Sequence, residues 1–178
     1  MITRFFAPQL VNNFSVNALE TFSEKGIINP CTFALVQEIV DFLPKGLGAV
    51  YHRLIFIFIY FAVLATVILL SLKAILKINS QKIEDKGKWL VFFICLVYAL
   101  VAPRFKDYSY IILIPPTYFI MQKMRGIKAG TLFFVLVILS AKGVTLPGFD
   151  YICYFLWNYY PLFLAFMVWG VYLYELRD

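Results

Sequence analysis

Long apolar runs separated by short charged stretches organise the whole chain. The clearest run covers residues 54–72, where 19 consecutive residues carry no charge and an α-helix would extend about 28 Å. That length crosses the hydrocarbon core of a bilayer, so the run predicts a membrane-spanning helix. A second long run, 151–174, is charge-free and carries tyrosines and tryptophans near both ends. Aromatic residues at the two ends of a run are typical of the two membrane interfaces.

Three further apolar runs are shorter than a usual span. Residues 89–103 and 108–122 are each charge-free, and 129–147 becomes long enough only if Lys142 is included. Pro115 and Pro116 remove two backbone donors inside the second of these runs, which predicts a kinked or broken helix there. The runs 89–103 and 108–122 are therefore either marginal spans or the two arms of a re-entrant hairpin.

The predicted fold is an all-α polytopic membrane bundle of about five transmembrane or partly re-entrant helices. An extracytoplasmic segment, 1–53, precedes a transmembrane region, 54–178. The predicted runs within that region are 54–76, 89–103, 108–122, 129–147 and 151–174.

An amphipathic helix is predicted at residues 30–43, on the outer membrane surface or against neighbouring spans. Asn29 is expected to cap it and Pro30 to be its first helical residue. Its apolar positions recur at helical spacing opposite polar ones. The apolar set is Phe33, Val36, Val40 and Leu43, and the polar set is Gln37, Glu38 and Asp41.

Composition and charge agree with a membrane protein. The chain is 62% hydrophobic and 15% charged, which excludes an ordinary soluble globule. Its net charge of +6 fits cations flanking spans, so we expect no nucleic-acid partner. Three separated cysteines and one histidine offer no metal-ligand spacing, and we expect no metal or other cofactor. The Lys and Arg count in the connections favours an outer N-terminus and an inner C-terminus.

The candidate chemistry lies between the runs 89–103 and 108–122. Arg104 offers a planar fork and Lys106 a compact point charge, both suited to phosphate oxygens, with Asp107 and Tyr108 beside them. These four residues predict a site for a lipid phosphate or pyrophosphate head group. The alternative is an ordinary loop whose charges reach the lipid head groups. No acid or base lies inside a run, which argues against a proton-coupled transporter.

The chain resembles the C-terminal part of glycosyltransferase family 87. The resemblance covers residues 28–175 and rests on Asn29-Pro30 ahead of a helix, on Pro-Arg-x-Lys-Asp-Tyr at 103–108, and on Leu-Ile-Pro-Pro at 113–116. Family members are polytopic GT-C enzymes that take a sugar from a polyprenyl-phosphate donor. The resemblance implies phosphate-facing roles for Arg104 and Lys106, supported by Asp107 and Tyr108. The family's catalytic carboxylate lies in a first extracytoplasmic loop that has no counterpart here.

The leading functional hypothesis is a lipid-phosphate-binding module without its own catalytic base. The resemblance implies a hexosyltransferase fragment or truncated relative in a bacterial cytoplasmic membrane, with a polyprenyl-phosphate sugar as ligand and a separate chain supplying the missing N-terminal spans. The alternative is a small non-catalytic membrane protein that scaffolds or stabilises a complex. A channel or transporter is the least supported class, since the runs carry no polar stripe.

Overall fold

The computed structural model describes residues 29–44, 48–80, 85–124 and 150–177. Within these ranges the chain is helical apart from its connections and contains no β-strand, which confirms the all-α class. The predicted run 129–147 lies outside the described residues, as does most of the segment 1–53. In chain order the elements are α1 (Thr32–Asp41), α2 (Gly48–Ser80), α3 (Lys86–Val101), a 3-10 helix (Asp107–Leu113), α4 (Ile114–Lys123) and α5 (Asp150–Glu175).

Helix α1 begins later than predicted, because Asn29 does not cap it. The N-cap is Cys31, whose backbone is extended and whose Sγ accepts a hydrogen bond from the Ala34 N–H at 3.4 Å. Val36 and Val40 are buried, whereas Gln37 on the predicted polar face is exposed. The sequence pattern therefore locates the buried face of α1, although it misplaces the cap.

Helix α2 is the longest element and extends beyond the predicted run 54–76 at both ends. The predicted boundary between 1–53 and 54–178 consequently falls inside a helix. Near its start α2 packs on α1, where the Phe33 ring meets the Phe56 ring edge-on at 5.0 Å and the Tyr60 ring at 5.4 Å. The packing alternative for the amphipathic helix is thus what the described residues adopt.

Helix α3, the 3-10 helix and α4 form a helical hairpin. Both arms are in contact, and the Trp89 ring of α3 meets the Phe119 ring of α4 edge-on at 5.3 Å. The predicted run 108–122 changes helix type ahead of its two prolines, which fall in the first turn of α4. Proline is tolerated there because first-turn N–H groups have no intrahelical acceptor.

Asp85 closes the base of this hairpin. Its carboxylate accepts hydrogen bonds from the Lys88 Nζ at 3.0 Å and the Lys123 Nζ at 3.2 Å, so it joins the start of α3 to the end of α4. These hydrogen bonds hold the pKa of the Asp85 carboxyl below its usual value. The residue adopts a left-handed backbone with φ 58° and ψ 30°, a conformation that Asp tolerates better than most residues.

Helix α5 provides much of the core. Tyr159, Leu162 and Tyr172 are fully buried on the face that it turns toward the bundle. The Tyr172 hydroxyl donates to the Pro116 carbonyl at 2.8 Å, which ties α5 to α4. The Trp169 Nε1–H donates to the Ser71 Oγ at 3.0 Å, which ties α5 to α2 and satisfies both buried polar groups.

These contacts define two ends of the bundle. The loop end contains α1, the start of α2, the connection 102–106 and the α5 residues near Phe155, whose ring lies 5.4 Å from the Phe42 ring. The lysine end contains the ends of α2, α4 and α5 and the start of α3; there the Lys77 Nζ donates to the Arg177 carbonyl at 2.6 Å. The described cations at the lysine end are Lys73, Lys77, Lys86, Lys88, Lys123 and Arg177.

Two helices are long and apolar enough to cross a membrane: α2 and the Phe155–Glu175 part of α5. Only 11% of the most apolar stretch of α2 is buried inside the structure, and Phe58 is 76% exposed. The core helix of a soluble protein would be mostly buried, whereas an exposed apolar face of this length needs lipid or protein to cover it. The two helices indicate a membrane protein, and the count of about five spans stays a prediction.

Candidate functional site

The connection 102–106 at the loop end is held by residues 29–32, the three residues before α1 and its first residue, which we call the latch. The Asn29 Oδ1 accepts a hydrogen bond from the Phe105 N–H at 2.8 Å. The Tyr110 hydroxyl, on the 3-10 helix, donates to the Pro30 carbonyl at 2.6 Å. Both hydrogen bonds are buried, so solvent does not compete for them.

The last two latch residues, Cys31 and Thr32, bond to the start of the connection and to the end of α3. The Thr32 hydroxyl donates to the Leu100 carbonyl at 2.7 Å, and the Cys31 Sγ lies 3.0 Å from the Pro103 carbonyl. Burial raises the pKa of the Cys31 thiol, so the sulfur stays protonated at neutral pH and is able to donate. Four consecutive latch residues therefore hydrogen-bond to the segment 100–110, which fixes the path of the connection.

Phe105 anchors the connection from within. Its side chain is 5% exposed, and its ring meets the Tyr110 ring edge-on at 4.6 Å and the Tyr98 ring at 5.8 Å. The residues on either side of it, Arg104 and Lys106, are exposed and half-buried. The connection therefore buries its central side chain, while the cations on either side of it stay at least partly accessible to solvent.

The four predicted site residues occupy one continuous stretch at the loop end. Arg104 and Lys106 lie in the connection, and Asp107 and Tyr108 form the first turn of the 3-10 helix. Tyr108 is 76% exposed, while Asp107 is half-buried. The structure thus places two cations directly before a carboxylate and a phenol.

Asp107 and Tyr108 also line an open groove with a volume of about 880 Å³. One wall is the 3-10 helix and α4, and the other is α5. Its lining is polar at Asp107 and mainly apolar along the rest of its length. The remaining lining residues are Tyr110, Ile111, Leu113, Ile114, Thr117, Tyr118, Met121, Tyr160, Pro161, Leu164 and Val168.

Sequence reasoning missed the α5 wall of this groove and the role of the latch. Pro161 and Tyr160 belong to a run interpreted only as a span, and nothing in the sequence pairs that run with residues 107–121. Asn29 was assigned to a helix cap. The available signal was the Asn-Pro-Cys-Thr sequence itself, a cluster of side chains able to bond to backbone groups outside a helix.

Glu38 is a second polar feature at the loop end. It belongs to the predicted polar face of α1, but it is half-buried and accepts a hydrogen bond from the Tyr159 hydroxyl at 2.5 Å. This bond connects α1 with α5 and gives the fully buried Tyr159 a partner for its hydroxyl. Glu38 therefore has a structural role that its place on the polar face of α1 does not reveal.

The site combines a mainly apolar groove, lined at one end by Asp107 and Tyr108, with the two cations that directly precede Asp107 in the chain. Among the residues that the structure describes, no group of three or more His, Cys, Asp or Glu side chains has the arrangement of a metal site. The arrangement suits an amphiphile with an anionic head. No protein-family model, curated protein or solved structure matches the chain.

Proposed function

We propose that this chain is a helical membrane module that binds a polyprenyl phosphate, as the lipid-phosphate part of a glycosyltransferase of the family 87 type. The phosphate lies against Arg104 and Lys106, and the prenyl chain lies in the groove between α4 and α5. In this proposal the base that deprotonates the sugar acceptor comes from a partner chain with further spans.

The observation that carries the proposal is the polarity gradient of the groove. Its Asp107 end directly follows the two cations, and its walls become apolar toward Met121 and Val168. The residues from 107 to 121 extend about 26 Å along the 3-10 helix and α4. A long apolar chain with one anionic end matches both the length and the polarity of this groove.

The two cations have different parts in this binding. Arg104 can present two parallel N–H groups to a pair of phosphate oxygens, and Lys106 adds a point charge two residues away. Asp107 follows in the same turn as Tyr108, where a carboxylate orients nearby cations and a phenol donates to an oxygen. Because the latch fixes the connection, little order has to be gained when the phosphate binds.

For the membrane arrangement we propose about five spans, with the loop end outside and the lysine end inside. The lysine end carries six of the described cations, whereas the loop end carries Arg53, Arg104 and Lys106. Short loops rich in Lys and Arg stay on the cytoplasmic side, so this charge difference supports an inner C-terminus.

The test is photo-crosslinking of the full chain in lipid nanodiscs with a diazirine-bearing polyprenyl phosphate, with adducts mapped by mass spectrometry. We expect adducts on groove residues. Changing both Arg104 and Lys106 to Ala should lower their yield about tenfold or more, because two charge-assisted contacts are lost. Arg53→Ala is the matched control, since Arg53 is an exposed cation at the loop end that lies on α2 and not in the connection 102–106.

Competition identifies what the site recognises. Unlabelled polyprenyl phosphate should abolish the adduct, whereas the corresponding prenyl alcohol and inorganic phosphate should each compete weakly, since each supplies only half of the ligand. Equal adduct yield from the double variant and from wild type would refute a phosphate site at this loop.

A non-catalytic scaffold is the second candidate, favoured by the exposed apolar surface of α2. A helix of this kind packs as well against a partner's spans as against lipid. Absence of a specific adduct, together with co-purification of a stoichiometric membrane partner, would favour this function.

A further inference from the structure

The latch contains one side chain that acts directly on the site. Asn29 is 3% exposed, and its Oδ1 accepts from the N–H of Phe105, the residue between the two cations. Thr32 and Cys31 contact Leu100 and Pro103, which precede both cations. The Phe105 N–H that donates to Asn29 belongs to the backbone between Arg104 and Lys106.

The hydrogen bond between Asn29 and Phe105 fixes the backbone between the two cations. It holds the Phe105 amide toward the core while the Phe105 ring packs on Tyr110. Arg104 and Lys106 flank this buried residue, and they are exposed and half-buried, respectively. Fixing the middle residue therefore fixes Arg104 and Lys106 as a pair that one phosphate group can contact.

We propose that Asn29 is a positioning residue for this site, acting through the Phe105 N–H to hold in place the backbone between Arg104 and Lys106; this role rests on the proposed binding of a polyprenyl phosphate. Asn29 itself, buried behind the connection, makes no contact with the ligand.

The expected loss of affinity follows from the backbone order that the hydrogen bond between Asn29 and Phe105 maintains. Without it, the Phe105 amide loses its acceptor and the connection samples other conformations. Binding must then restore one arrangement of the two cations. Ordering the backbone of a single residue corresponds to roughly a tenfold change in affinity, so Asn29→Ala should raise the Kd about tenfold.

The experiment measures the Kd of a fluorescent polyprenyl phosphate for the full chain in nanodiscs, together with amide hydrogen exchange of the peptide that contains Phe105. Three variants are compared with wild type. Asn29→Ala removes the acceptor, and Asn29→Asp keeps an acceptor oxygen in the same place. Thr32→Val is the matched control, because it removes a buried latch hydrogen bond to Leu100 without touching the Phe105 amide. If Asn29→Ala does not fold, Asn29→Ser replaces it, since the shorter hydroxyl does not reach the amide.

Support requires a Kd about tenfold higher for Asn29→Ala, with faster exchange at Phe105, and values within about threefold of wild type for Asn29→Asp and Thr32→Val. The proposal is overturned if Asn29→Ala binds as wild type does, if Thr32→Val is weakened equally, or if Asp fails to rescue. Failure of the wild-type chain to bind any polyprenyl phosphate would instead refute the proposed function, and this role with it.

Discussion

Replacing Tyr110 by Phe isolates one hydrogen bond of the latch. The Tyr110 hydroxyl donates to the Pro30 carbonyl at 2.6 Å, and Tyr110 is 8% exposed. Phenylalanine keeps the ring, which packs edge-on against Phe105. The substitution therefore removes a donor without opening a cavity, and leaves the Pro30 carbonyl to find another partner.

The expected loss has two parts. A buried intramolecular hydrogen bond contributes about 1 kcal/mol net, and a buried carbonyl left without a donor costs about 1–3 kcal/mol. Proline has no N–H, so this carbonyl is the one backbone polar group of Pro30. We expect Tyr110→Phe to lower the free energy of unfolding by about 2 kcal/mol.

The assay is a denaturant titration in mixed micelles followed by tryptophan fluorescence. Tyr108→Phe is the matched control, because Tyr108 is 76% exposed and lies two residues away on the same 3-10 helix. The control should stay within about 0.5 kcal/mol of wild type. A loss below about 0.5 kcal/mol for Tyr110→Phe, or an equal loss for both variants, would show that the latch does not stabilise the fold in this way.

Two further predictions concern the hairpin base and α2. Hydrogen bonds from Lys88 and Lys123 lower the pKa of Asp85 in the folded state. The ionised Asp85 carboxylate should therefore stabilise the fold fully at pH values well above the ordinary carboxyl pKa of 3.8. This stabilisation should disappear as the pH falls through the lower pKa of the folded state. Asp85→Asn should therefore lower the Tm at pH 7, and the difference in Tm should shrink as the pH falls below 3.8; a pH-independent difference would contradict this account. Phe61 is 61% exposed near the middle of the charge-free run, so Phe61→Arg should disfavour membrane insertion of α2 by about 3 kcal/mol in a glycosylation-based insertion assay. Tyr51→Arg, three turns nearer the helix start, should insert almost normally, and equal insertion of both variants would argue against a span.

Local sequence rules predicted the helices well, and their errors have a local cause. The predicted run 54–76 is shorter than α2 because it stops at Arg53 and Lys77, although long cationic side chains are accommodated near the ends of a spanning helix. The prolines at 115 and 116 did mark a change in helix type. These features depend on neighbours within a turn or two, which a sequence displays directly.

The site was predictable only in part. Arg104, Lys106, Asp107 and Tyr108 are adjacent in sequence, so their proximity needed no fold. The groove and the latch arise from pairs that are far apart along the chain: Asn29 and Phe105 are separated by 76 positions, and Glu38 and Tyr159 by 121. Such pairs follow from how helices pack, and no periodicity within one helix contains that information.

The 3-10 helix ahead of α4 also changes how far a short stretch of sequence can reach. A 3-10 helix rises about 2.0 Å per residue and an α-helix about 1.5 Å, so residues 107–123 extend about 29 Å instead of the roughly 26 Å of a uniform α-helix. That length is close to the hydrocarbon thickness of a bilayer, about 30 Å. In the five-span arrangement proposed above, the stretched first half would compensate hydrophobic mismatch in a segment too short to match the membrane as an ordinary helix, and a thinner bilayer should favour its rewinding.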